Sequence, residues 1–177
     1  MNANAPICLV TASYSTHDGA VQDFETVWRS RRDGDFHHTA IALLSKDPGG
    51  RLGIERSSST AKHLVWGGAL LGGALFVLAP ATGVEMLATV GLNGAGAIIY
   101  HFRRNTDPAD LAETALLLEE GITGLVVVVV NRPGEVMTPL LTQAQRTSSV
   151  DMLWGDLEEE LCRDFTTPPS DMVLVAT

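Results

Sequence analysis

Five histidines, two cysteines and a run of hydroxyls are the side chains of this sequence with the most chemistry to offer. A metal centre needs several ligands converging on one point. His37 and His38 are adjacent, and on a strand neighbouring side chains point to opposite faces, so the pair cannot chelate one ion. His17, His63 and His101 fall near the expected ends of elements, where solvated or capping roles are expected. No His-Glu-x-x-His motif or Cys/His cluster is present. Cys8 and Cys162 are far apart and outside any C-x-x-C pair, which fits a reducing compartment and no structural zinc. Cys8 lies in an apolar run and reads as a small buried hydrophobe. Gly91-Leu92-Asn93-Gly94-Ala95-Gly96 loosely suggests a phosphate loop, but it has neither the G-x-G-x-x-G order nor a following Lys-Ser/Thr, and it does not follow a strand. Ser57-Ser58-Ser59-Thr60 has no G-x-S-x-G elbow around it and reads as a loop and an N-cap. No catalytic residue, cofactor or metal ligand is assigned, and the chain reads as a non-enzyme.

The elements that would have to position any site come from the hydrophobic pattern. The chain has 177 residues, the length of one well-buried domain, with 45% hydrophobic and 19% charged residues. Its net charge of −9 is C-terminal: residues 107–177 carry three basic and thirteen acidic side chains, whereas residues 1–63 are balanced. An acidic C-terminal third reads as a solvated face. It also repels a polyanion, and there is no basic patch, so nucleic acid is excluded as a partner. No signal peptide is apparent in Met1–Pro6, and a cytoplasmic location is expected.

Ile7–Ala12 reads as a buried strand, and Val21, Phe24, Val27 and Trp28 mark a helix face opened by Ser15 or Thr16 and closed near Gly34. Thr39–Leu44 and the alternating Leu52/Ile54 segment flank the turn Lys46-Asp47-Pro48-Gly49-Gly50 and read as a hairpin. Asp107-Pro108-Ala109-Asp110 is a helix start, with Asp107 as cap and Pro108 at the first position, and Gly121 is its stop. Leu125–Val130 is a strand apolar on both faces. Helices are expected over Val136–Gln145 and Asp151–Phe165, followed by an apolar, β-prone Met172–Val175. The resulting fold class is α+β: a ferredoxin-like βαββαβ sheet with an inserted glycine-rich helical hairpin and C-terminal helices. The whole chain is one domain, with residues 61–105 as the insertion and 166–177 as a flexible or strand-adding tail. In that topology the fourth strand lies at a sheet edge, where its valines require a cover.

The insertion carries the sharpest pattern. Gly68 and Gly72, and Ala69 and Gly73, are four apart, and Gly91 and Ala95 repeat the spacing. Each pair forms a small-residue groove along which another helix can approach closely. Pro80 breaks the segment into arms of Leu64–Ala79 and Met86–Phe102. Glycines cost a helix about 1 kcal/mol each relative to alanine, so a compensating contact is expected, within the chain or between protomers. Gly68, Gly72, Gly73, Gly91 and Ala95 are therefore the candidate packing residues. Each arm spans only about 25 Å against a bilayer core of ~30 Å, which makes the membrane a marginal partner.

Taken together, the strand and helix at the N-terminus, the Lys46-Asp47-Pro48-Gly49-Gly50 hairpin, the Gly67-Gly68-Ala69-Leu70 and Gly72-Gly73-Ala74-Leu75 repeats, the valine strand, Arg146-Thr147-Ser148 and the acidic helix resemble a bacterial family called domain of unknown function twelve-sixty-nine. The resemblance covers Ile7 to Phe165; the Pro168-Pro169 tail departs from it. It implies a stress-related or membrane-labelled protein and supplies no catalytic residue. The functional expectation is a self-assembling homo-oligomer of structural or interaction type. The alternatives are a membrane-associated stress protein with the apolar hairpin in or on a bilayer, and a small-molecule sensor.

Overall fold

A computed structural model describes residues 4–32, 39–59, 64–83, 95–130 and 134–155, with Leu157 and Glu159. Strand β1 (Pro6–Tyr14) leads into α1 (His17–Arg32), whose first turn is capped by Thr16: its Oγ1 accepts the Gly19 N–H at 3.3 Å. Strands β2 (Thr39–Lys46) and β3 (Leu52–Ser59) form the expected hairpin. Its turn is closed by Asp47, whose carboxylate accepts the Arg51 N–H at 2.9 Å, and Gly50 takes φ +79°, a conformation that favours glycine. The serines at 57–59 belong to β3, opposite Ala42, Ile41 and Ala40, and not to a loop.

Helix α2 (Leu64–Leu78) ends just before Pro80, and residues 80–83 make one more helical turn, anchored by the Thr82 hydroxyl donating to the Leu52 carbonyl at 2.7 Å. Helix α3 (Ala95–Asn105) is followed by α4 (Pro108–Glu120), where the Asp107 carboxylate accepts the Ala109 N–H at 2.8 Å, as the sequence dictates. The apolar face of α4 carries Thr114, Leu117 and Leu118, while Leu116 points outward. Strand β4 (Thr123–Val130), a short helical turn α5 (Gly134–Met137), a 3-10 turn (Thr138–Leu140) and β5 (Arg146–Leu153) complete the described chain. Two expectations fail here. Residues 138–145 are not α-helical, and Asp151–Leu153 is strand, because Arg146–Leu153 pairs along its whole length with Ser13–Pro6 of β1.

The five strands form one antiparallel sheet in the order β3-β2-β4-β1-β5. The class is α+β, but β4 is central, between β1 and β2, and not at an edge. Its position explains its composition. Alternate residues of a strand serve opposite faces. Leu125, Val127 and Val129 pack under α1 with Cys8, Val10, Ile41, Leu43, Phe24 and Val27. Val126, Val128 and Val130 pack under α2, α3 and α4 with Leu9, Leu44, Leu71, Leu75, Ile98 and Leu118. All eight β4 residues are buried. Each such valine gains about 1.5–3 kcal/mol from burial, before the entropy of ordering is subtracted.

The helices thus lie on both faces of the sheet. β1 and β2 run one way, β3 and β4 the other, and each crossover skips one strand. The two connections are related by rotation in the sheet plane, so they would share a face if they shared a hand. α1 lies on one face and α2–α4 on the other, so the two crossovers are of opposite hand. One of them takes the uncommon left-handed course.

Candidate functional site

The glycine-rich helix turns its small residues inward. Residues 69–75 of α2 are all buried, between the sheet and α3. A Cβ on Gly73 would stand 2.5 Å from Cγ2 of Ile98, closer than any real contact, so glycine is what lets α2 and α3 approach. Gly72 is buried too. Gly68 lies in the backbone of α2 and Ala95 is the first residue of α3, while Gly91 lies outside the described residues. The Gly73 groove is occupied within the chain by Ile98. Among the described residues no helix is long and apolar enough to cross a membrane.

The titratable groups are tied into packing. Asp23 is fully buried on α1. Its Oδ2 accepts the Tyr14 hydroxyl at 3.0 Å and the Gln143 N–H at 3.0 Å, joining β1, α1 and the segment before β5. Its Oδ1 has no hydrogen-bond partner in the structure. Burial, followed by the neighbouring Asp23 charge, pushes the Tyr14 phenol far above its ordinary range. Sequence reasoning passed over Asp23, yet a signal existed: Ala20, Asp23, Phe24 and Val27 share one helical face by spacing, and all are buried.

His101 is not a solvated end residue. It lies within α3, 2% exposed, with Nε2–H donating to the Leu153 carbonyl at 2.9 Å and Nδ1 accepting from Asn105 at 3.2 Å. The carbonyl partner fixes the tautomer. His17, exposed, contacts both Glu55 oxygens at 2.9 Å. A register shift between Leu43 and Leu44 leaves both Glu55 and Arg56 opposite Leu43, a bulge that turns both toward α1. Arg56 then meets Glu25 at 2.7 Å and covers the Phe24 ring at 4.6 Å. His37, His38, His63 and Cys162 lie outside the described residues. Cys8 is buried under α1, and burial, reinforced by the Asp151 carboxylate opposite it on β5, raises its thiol far above the usual range. No group of three or more His, Cys, Asp or Glu among the described residues could hold a metal.

Among the described residues β3 and β5 each have one neighbour in the sheet. Covered by helices on both faces, the protein belongs to the class of three-layer α+β folds built on one antiparallel sheet. Comparison with protein-family models, with curated proteins and with solved structures finds no match.

Proposed function

We propose that this is a non-enzymatic structural or interaction protein that acts by self-association. The observation that supports it is that β3 and β5 each have a single neighbour in the sheet among the described residues, since an edge strand is where another strand can add. The titratable clusters support it as well: Tyr14–Asp23, His101–Leu153, His17–Glu55 and Arg56–Glu25 each bind one element to another. Because the Gly73 groove is filled by Ile98 of the same chain, assembly is assigned to strand edges ahead of the glycine stripe. The family resemblance, which carries no residue role, leaves this reading unchanged. Its test is the mass of the detergent-free protein by size-exclusion light scattering at tens of micromolar. A defined multiple of 18.9 kDa is the expected result, and an 18.9 kDa monomer at that concentration sinks the reading.

A further inference from the structure

We draw no further inference here: the strongest candidate, the buried cluster of Tyr14, Asp23 and the Gln143 N–H between β1, α1 and the segment before β5, is the packing link already described, and no group of three or more His, Cys, Asp or Glu among the described residues makes a metal site of its unpartnered Asp23 Oδ1.

Discussion

Gly73 shows how one missing Cβ fixes a helix pair. Alanine there raises helix propensity by about 1 kcal/mol but drives a methyl into Ile98, an overpacking that costs about 1–3 kcal/mol. Gly73→Ala is therefore expected to lower stability, and Ile98→Ala, which removes the obstructing Cγ2, to cost about 2–5 kcal/mol by itself. The double variant should lose clearly less than the sum. Urea melts of all four proteins measure the coupling, and strict additivity would mean that the two residues do not touch. Tyr14 supplies a pH prediction. Its folded pKa is raised, so the unfolded phenol ionises first, near ~10, and stability present below that pH falls as pH rises through it. Tyr14→Phe should cost about 1–3 kcal/mol at pH 7, because Asp23 loses a donor, and should show a shallower loss from pH 9 to 11. Cys8 contributes in the same sense, so a residual slope remains in the variant. An alkaline slope identical in both proteins would contradict the buried-phenol argument.

At the scale of elements, short-range chemistry decides the ends and long-range pairing decides the middles. The Asp107 cap of α4, the Thr16 cap of α1, the Asp47–Gly50 turn and the Pro80 stop were all legible, because each is a local backbone requirement met by one residue type. Asp107→Ala is expected to cost about 0.5–2 kcal/mol, read as a lowered denaturation midpoint. An unchanged midpoint would make the cap dispensable. Arg146–Leu153 was not legible. Its residues alternate weakly, the polar Arg-Thr-Ser-Ser start carries no strand signal, and only the exposed edge of β1 makes it a strand. The serines of β3 were missed for the same reason.

For the whole molecule, the sheet order sets the hierarchy of stability. β4 and β1 are each flanked by strands on both sides, so their amides should exchange only on global unfolding, while β3 exchanges through local opening. Hydrogen exchange followed by mass spectrometry checks this, and β4 peptides exchanging as fast as β3 would refute the central placement. The sequence by itself determined that there would be an α+β protein with an apolar strand covered on both faces, a hairpin at residues 46–50 and a glycine-bearing helix needing a close neighbour, because composition, period and turn chemistry are local properties. Only the tertiary structure decided that Ile98 is that neighbour, that Asp23 is a buried link between α1 and β1, and that β4 sits between β1 and β2. Strand order rests on contacts between residues far apart in the chain, and the long helical insertion before β4 gives it the reach to enter the middle of the sheet.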